Sequence, residues 1–496
     1  MSMKGHVVII GSGLGGLSSG IILAKNGYKV TILEQESQVG GCLQCFKRDG
    51  VKFETGMHFI GSASKGQTLQ RLLHYLEAEV PLSPLNPEGY EVIALNGRRY
   101  SFANGRQRFI DGLCRFFPDQ RPNLNRLCDT IESLAKASNL HSLTRPDTES
   151  AISTEYQLRS LNDVIDELIT DIELRKVVVG NLPLYGAVKD KTPFSTYAFV
   201  MDFYNQSAYR IIGGSERLTD ALLRTLRKYG GEVLPCHKVV EVVCNDQRVT
   251  GVRCDNGIFF EADTVISDIH PARLIDIVHS PLLRPAYRHR IQKIPNTIGG
   301  FSVYLHFKPK SVPYMNYNFY SYNTDTPWNC EQYTDDDWPR GYLYMHLCDH
   351  EDQQYANSGV ILSYMHMRDV EKWKGTKVGQ RGADYERFKK LHAHRLLSCV
   401  EKDFPGLTDQ LQTFYTSTPL TYYDYTGTQD GSMYGIMKDI TLGPAARVHH
   451  RTKIPNLLLT GQNVNSHGIL GVLVGTLVTC GELIDSETLF DQIVHG

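Results

Sequence analysis

A glycine-rich segment near the amino terminus limits the folds that this chain can adopt. The segment reads GSGLGG over residues 11–16, between a short apolar run, 7–10, and a run with helical periodicity, 17–25. A second apolar run, 29–33, ends at Glu34. Strand, glycine turn, helix and strand in this order form the β-α-β unit of dinucleotide-binding folds. The sequence therefore predicts an α/β fold class with a Rossmann-like domain at the amino terminus.

Each glycine of the GSGLGG segment has its own physical role. Gly11 permits the tight turn after the strand, Gly13 lets the backbone approach a pyrophosphate, and Gly16 allows the helix to pack closely on the strand. The amino terminus of the helix offers free N–H groups and a positive dipole end to phosphates. Glu34 can accept hydrogen bonds from a ribose. The alternative interpretation is a glycine-rich turn with a surface glutamate. We predict a dinucleotide site formed by Gly11, Gly13, Leu14, Gly15, Gly16, Glu34 and Gln35.

Composition excludes several other classes of protein. The chain has 496 residues, of which 41% are hydrophobic and 21% charged, which is normal for a globular protein and excludes a disordered or collagen-like chain. The net charge of −2 indicates no nucleic-acid partner. Eleven scattered cysteines are typical of a reduced, cytoplasmic protein, and no apolar run is long enough for a transmembrane helix. Peripheral contact with a membrane is compatible with this sequence.

Six segments spread along the chain carry a family resemblance. They are GSGLGG with Glu34, GGCLQCFKRDGVKFETGMHFIG (40–61), IIGGSERLTDAL (211–222), VISDIHP (265–271), GSMYG (431–435) and LLLTGQNVNSHGILGVLVGTLVTCG (457–481). As a set, they resemble the FAD-containing amine-oxidase superfamily, in particular its branch of carotenoid desaturases and retinol saturases. The segments 40–61 and 457–481 are most similar to retinol saturases and related bacterial proteins.

The resemblance implies that the dinucleotide is FAD, bound extended with its adenosine on the amino-terminal unit. Val239 matches the place where the family's backbone meets the adenine. The family's carboxy-terminal segment approaches the flavin, and a helix that starts near Gly468 would direct its positive end at the pyrimidine part of the ring. The further positions that the resemblance assigns to FAD are Gly40, Gly41, Gly461, Gln462, Gly468 and Ile469.

No second dinucleotide motif is visible in the sequence. The segment 213–215 (GGS) opens a helix but lacks the GxGxxG spacing. A site for NAD(P)H as a transient electron donor stays compatible with the chain, and the electron partner is not identified.

His58 is the residue to which we assign catalysis. The resemblance puts it beside the flavin and the substrate tunnel, where a histidine could donate a proton to carbon. A packed structural histidine is the alternative, and His467 is a weaker candidate for the same role. Cys42 and Cys45 form a CxxC pair, either a redox dithiol or two small residues packed near the cofactor. No second Cys or His pair completes a metal site, so we expect none.

The function that the resemblance implies is oxidoreduction by FAD at a carbon–carbon double bond. The substrate would be apolar, isoprenoid- or retinoid-like, held in a closed tunnel that aromatic side chains line. The similarity of 40–61 favours saturation. Alternatives are a carotenoid desaturase or isomerase, a flavin amine oxidase, and a non-catalytic lipid-binding flavoprotein.

We expect two intertwined domains, because the FAD-like segments fall in three separated blocks. The FAD-binding domain is predicted to consist of residues 1–75, 205–295 and 430–496, and the substrate or cap domain of residues 76–204 and 296–429.

Overall fold

A computed structural model describes residues 4–143 and 151–495. The strands within these residues are, in chain order, β1 (His6–Ile10), β2 (Lys29–Leu33), β3 (Cys45–Arg48), β4 (Val51–Glu54), β5 (Ile60–Gly61), β6 (Leu82–Pro84), β7 (Glu91–Leu95), β8 (Arg98–Phe102), β9 (Ala208–Ile211), β10 (Glu232–Leu234), β11 (Val239–Cys244), β12 (Val249–Cys254), β13 (Phe259–Glu261), β14 (Thr264–Ser267), β15 (Gly299–Phe307), β16 (Asn318–Tyr322), β17 (Gly341–His346), β18 (Ser358–Met365), β19 (Leu411–Ser417) and β20 (Leu457–Leu459).

The α-helices within the same residues are α1 (Leu14–Lys25), α2 (Thr68–Tyr75), α3 (Arg106–Cys114), α4 (Arg121–Ala137), α5 (Asn139–Ser142), α6 (Ala151–Leu158), α7 (Leu161–Leu168), α8 (Ile172–Val178), α9 (Phe194–Gln206), α10 (Glu216–Lys228), α11 (Pro271–Ile277), α12 (Pro285–Lys293), α13 (Ala383–Asp403), α14 (Pro419–Tyr425), α15 (Gly468–Cys480) and α16 (Ser486–His495). None of these helices combines the length and the apolar composition that crossing a bilayer requires.

A five-stranded parallel sheet contains the amino-terminal β-α-β unit, and this confirms the predicted α/β fold class. Its strand order is β10-β2-β1-β14-β20. The central strands are almost continuously buried and apolar, as expected for a parallel sheet that is covered on both faces. Helix α1 packs against both α10 and α15. The carboxyl ends of β1, β2 and β14 therefore meet at one edge, where α1 begins.

A seven-stranded mixed sheet forms the second large unit, in the order β19-β15-β18-β17-β16-β7-β8. Its long central strands β15 and β18 are buried throughout their length. The strands of the five-stranded sheet come from the three blocks assigned to FAD binding, and the strands of the seven-stranded sheet come from the two blocks assigned to the cap. The division into domains stays a prediction. The two sheets are distributed between the predicted domains.

The hairpin β7–β8 lies within residues 67–200, a region whose sequence pattern is otherwise mostly helical. Asn96 and Gly97 form its turn, with φ of 50° and 75°. Two consecutive positive φ values are typical of the type I′ turn, and Asn-Gly is its preferred sequence. The hairpin was therefore readable from these two residues.

Candidate functional site

One large cavity runs from the edge of the parallel sheet into the cap. Its volume is about 1880 Å³, which exceeds the roughly 300–1,000 Å³ of pockets for single small molecules. Thirteen of the fifteen site residues assigned from the sequence line this cavity, and they are Gly11, Gly13, Leu14, Gly15, Glu34, Gln35, Gly40, Gly41, His58, Val239, Gln462, Gly468 and Ile469. Gly16 and Gly461 are not part of the lining, but a Cβ atom on either would contact a lining residue, Gly11 or Asp268. The cavity is large enough for a dinucleotide and a second ligand.

The glycine turn after β1 leaves no space for side chains. A Cβ atom on Gly16 would lie 2.1 Å from the carbonyl oxygen of Gly11, which is backbone and cannot move aside. Gly11 itself has a φ of 96°, which other residues rarely adopt. The tight turn and close packing predicted for these two glycines are both present in the structure.

At Gly13 and Gly15 a side chain is excluded for a second reason, because it would collide with the side chain of Asp268. A Cβ atom on Gly13 would lie 2.6 Å from Oδ2 of Asp268, and one on Gly15 would lie 2.4 Å from Oδ1. Gly461 meets the same carboxyl group, since its Cβ would lie 2.1 Å from Oδ1. Three separated glycines thus enclose one acidic side chain.

Asp268 is a site residue that the sequence reasoning missed. Its Oδ2 accepts a hydrogen bond of 2.9 Å from the N–H of Gly16, at the start of α1. Burial, together with the nearby charge of Glu34, raises the pKa of this carboxyl to about 7, although backbone N–H groups partly offset the effect. The available signal was its position directly after β14, because ligands of open α/β sheets bind at the carboxyl ends of strands.

Glu34 connects the end of β2 to the glycine turn. Its Oε2 accepts hydrogen bonds from the N–H and the hydroxyl of Ser12, at 3.0 and 2.5 Å, and its Oε1 accepts one from the N–H of Glu36 at 2.9 Å. A carboxylate has about four acceptor positions, so one remains available to a ribose hydroxyl. Glu34 thus stabilises the turn and also borders the cavity, as a residue that binds a ribose must.

The turn at Gly40 and Gly41 packs on the first glycine turn. Both residues have positive φ, of 118° and 54°. A Cβ atom on Gly41 would lie 3.2 Å from the Cα of Gly13, and one on Gly40 would lie 2.6 Å from Oγ1 of Thr219. Two glycine turns from separate parts of the chain therefore form one surface of bare backbone. Such a surface, at the amino terminus of a helix, fits a pyrophosphate, so the donor set fits the implied FAD.

His58 lies where the residues predicted to bind the cofactor meet those predicted to form the cap. Its ring Nδ1 is 3.4 Å from Oε2 of Glu54 and makes no hydrogen bond. The other carboxylate oxygen of Glu54 accepts the N–H of Ser215 at 3.0 Å. Arg210, which is fully buried, donates to the carbonyl oxygen of His58 at 3.3 Å. The segment that carries His58 is held by its backbone, and its ring stays available to the cavity.

The two cysteines of the CxxC pair occupy different surroundings. Cys42 lines the cavity, whereas Sγ of Cys45 lies 3.4 Å from the hydroxyl of Ser215. Burial raises the pKa of Cys42 to about 11 and that of Cys45 to about 12. Since the thiolate is the reactive form, both groups are poor nucleophiles near neutral pH.

Aromatic and apolar side chains line the cavity on the cap side. The ring of Tyr434 contacts that of His467 in a tilted arrangement, with centroids 5.0 Å apart, and its hydroxyl donates to the carbonyl oxygen of Pro183 at 2.8 Å. Tyr422 donates to the carbonyl oxygen of Thr55 at 3.2 Å. The apolar residues of this lining include Leu184, Phe199, Val200, Phe203, Leu343, Met345, Leu362 and Met433. Because these two hydroxyls are engaged with protein and the neighbouring side chains are apolar, this part of the cavity is suited to an apolar ligand.

Comparison with known proteins finds similarity to flavin-containing oxidoreductases in both sequence and fold. A sequence profile described as flavin containing amine oxidoreductase matches residues 14–393. The all-trans-retinol 13,14-reductase of Danio rerio is 26% identical, over 97% of this chain and 86% of that protein. Prolycopene isomerase 2 of an Oncidium hybrid cultivar is 24% identical, over 98% of this chain and 84% of that protein. The crystal structure of an oxidoreductase from Methanosarcina mazei has a TM-score of 0.63 at 15% identity, covering 95% of this chain and 99% of that one, and this last similarity concerns the fold alone.

Proposed function

This chain belongs to the flavin-containing amine oxidoreductase family, and we propose that it saturates a carbon–carbon double bond of an apolar, retinoid-like substrate. The prediction that the protein is an FAD-dependent oxidoreductase is confirmed by the family match. The observation that supports the finer proposal is the continuous cavity, which joins the glycine turns to an apolar lining in the cap. The relatives named as retinol reductases favour saturation over the alternative, an isomerase.

Each group of residues has a task in this proposal. The N–H groups at the start of α1 and the glycine turns bind the pyrophosphate, Glu34 accepts the ribose hydroxyl, and Val239 meets the adenine. When bound, FAD supplies two-electron hydride chemistry to a carbon atom. The apolar cap side chains hold the polyene by burial and exclude water from the reacting carbon. His58 holds the proton that the second carbon of the double bond receives.

The electrons must come from a reductant outside the chain, which we propose to be NAD(P)H binding transiently. The balance is then one NAD(P)H and one proton consumed for each double bond that becomes a single bond. Anaerobic bleaching of the flavin by NADH or NADPH, compared with dithionite as a chemical control, tests this step. A flavin that only dithionite reduces would make another electron donor necessary.

The proposed reaction is tested with the FAD-loaded protein after anaerobic reduction. We expect all-trans-retinol to reoxidise the flavin and to gain two hydrogens, as seen by mass spectrometry. With the protein left oxidised, a putrescine arm tests the amine-oxidase alternative and a phytoene arm tests the carotenoid-desaturase alternative, because either substrate would have to reduce the flavin. Isomerised retinol with an unchanged mass would instead favour the isomerase, and a flavin that no polyene reoxidises would overturn the proposal.

Contact with a membrane surface would bring an apolar substrate to the cavity. Leu158 is 58% exposed and also lines the cavity, and Leu442 is 42% exposed on the neighbouring segment. We therefore expect the protein to float with phosphatidylcholine vesicles in a density gradient, and Leu158→Ser combined with Leu442→Ser to reduce the floating fraction. Equal flotation of the two proteins would remove these leucines from the proposal.

A further inference from the structure

Lys438 is a partly buried cation to which the proposed mechanism assigns no role. It lies three residues after the GSMYG segment and lines the cavity. Its Nζ donates one long hydrogen bond, of 3.4 Å, to the carbonyl oxygen of Val464. Among the residues that the structure describes, no carboxylate pairs with it. The nearest acid along the chain, Asp439, is engaged by Thr441 at 2.6 and 2.9 Å and by Lys191 at 3.8 Å.

The groups beside Lys438 include a guanidinium group, an imidazole and the amino terminus of a helix. His467 is the residue immediately before α15, a helix of 13 residues whose positive end faces the cavity. The Nδ1 atom of His467 is buried and makes no hydrogen bond. The guanidinium group of Arg447 acts on Lys438 from the loop that precedes β20. One cationic side chain, one imidazole and a helix amino terminus thus lie on the same side of the cavity as this ammonium group.

Removing a charged ammonium group from water without a counter-ion costs free energy, and this cost lowers the pKa of Lys438. Burial first, and then the charge of Arg447, lower the pKa of this lysine to about 8. Burial and the charge of Lys438 lower the pKa of His467 to about 3, so this ring is neutral near pH 7. A neutral imidazole can still donate one N–H. The ammonium group of Lys438 stays mostly protonated near pH 7 and lacks a counter-ion.

We propose that Lys438 and His467 bind a carboxylate at one end of the apolar substrate, so that the enzyme prefers polyene carboxylates to the corresponding alcohols or esters. This inference rests on the proposed function, because it names the polar end of the molecule that occupies the cap cavity. A carboxylate supplies the missing counter-ion and accepts hydrogen bonds from both side chains, which a hydroxyl does only in part. The ion pair would form within an apolar cavity, where water competes weakly.

The experiment measures binding to the oxidised, FAD-loaded protein, with no turnover. Retinoic acid, methyl retinoate and retinol are titrated at pH 7 while the quenching of protein fluorescence is followed. We expect the acid to bind at least about tenfold more tightly than the ester, as for a charge-assisted pair. Lys438→Met should abolish this preference and Lys438→Arg should retain part of it. Lys191→Met, which removes a half-exposed lysine paired with Asp439, is the matched control and should bind like the wild type.

Dependence on pH provides a second measurement on the unmodified protein. Because the lysine loses its proton above about pH 8, the preference for the acid over the ester should fall between pH 7 and pH 9.5. Equal binding of acid and ester by the wild type would overturn the inference, as would an unchanged preference in Lys438→Met. A Lys438→Met variant that changes the flavin spectrum but keeps the preference would show that the lysine serves the cofactor, which also overturns it.

The two proposals fail in different ways. If retinol is saturated while acid and ester bind equally, the proposed function stands and the carboxylate site is wrong. If none of the three polyenes binds, the proposed function itself fails. If Lys438→Met does not fold, the pH series and Lys438→Arg still decide the question.

Discussion

The carboxyl group of Asp268 lies at the amino terminus of α1, where it accepts the N–H of Gly16 at 2.9 Å. This carboxyl leaves no space for a side chain at three positions, which are Gly13, Gly15 and Gly461. The acid therefore shares the positive end of the helix with the pyrophosphate that the glycine turn is predicted to bind. A carboxylate in this place would repel a phosphate, whereas a protonated carboxyl would not.

The first prediction concerns pH and Asp268→Asn. The folded pKa of about 7 lies above the usual value of 3.8. Between these values the unfolded chain gives up the proton that the folded chain keeps, so the acid costs stability increasingly as pH rises and fully above about pH 7. We expect Asp268→Asn to be more stable than the wild type at pH 8, by up to a few kcal/mol, with a smaller difference at pH 5.

Urea unfolding at both pH values measures this difference. Asp255→Asn, in the exposed turn after β12, is the control and should change stability little at either pH. A difference between Asp268→Asn and the wild type that does not vary with pH would contradict the prediction.

The second prediction is that Glu34→Ala weakens FAD binding and also loosens the glycine turn. The loss of a hydrogen bond to a charged group costs about 1.5–3 kcal/mol of binding free energy. Ser12 loses both of its bonds to the carboxylate, so the melting temperature of the FAD-free protein should fall as well. Fluorescence titration with FAD and thermal unfolding measure the two effects. Glu36→Ala is the control, because only the backbone N–H of Glu36 contacts Glu34.

The third prediction concerns Gly16→Ala, which should abolish FAD binding and destabilise the fold. The added Cβ would lie 2.1 Å from the carbonyl oxygen of Gly11, and relief requires movement of β1 relative to α1. Gly112→Ala is the matched control in helix α3, because its Cβ would meet no atom closer than 3.8 Å. That control should gain about 0.5–1 kcal/mol of stability. A yellow, stable Gly16→Ala protein would show that the turn opens more easily than its geometry indicates.

The fourth prediction is that His58→Ala slows reoxidation of the reduced protein by a polyene. The expected loss is about 10²-fold or more, the size typical of a general acid. FAD content and the rate of flavin reduction should stay near wild-type values, because the interactions of Arg210 with this segment use the backbone of His58. His74→Ala, an exposed histidine on α2, serves as the control. Normal turnover by His58→Ala would make the proton donor a tyrosine or water.

The hairpin β7–β8 and the β-α-β unit illustrate what could be read from the sequence. The dinucleotide unit was predicted because its turn, helix start and strand ends depend on neighbouring residues only. The turn at Asn96 and Gly97 is equally local, and its signal is present in these two residues. No element was assigned to residues 91–102 from the sequence, so the hairpin is an element that was left out of the prediction.

Asp268 and Lys438 illustrate what the residues alone could not reveal. Asp268 is 252 positions from Gly16, and Lys438 lies 26 positions from the carbonyl group of Val464. A charged side chain in an unremarkable segment carries no sign of being buried, because burial depends on what other parts of the chain pack around it. The shifted pKa values of both groups follow from that burial, not from their neighbours along the chain.

The sequence by itself determined the glycine turns, the strand and helix order of the parallel sheet, and the family resemblance that implies FAD. These features depend on backbone conformation and on apolar periodicity, which act over a few residues. Only the tertiary structure decided that thirteen of fifteen assigned residues line one cavity, and that Asp268 and Lys438 border it, the lysine with no carboxylate paired to it in the part of the chain that the structure describes. The physical reason is that cavities and buried charges arise between distant segments, whose spatial separation is fixed by packing.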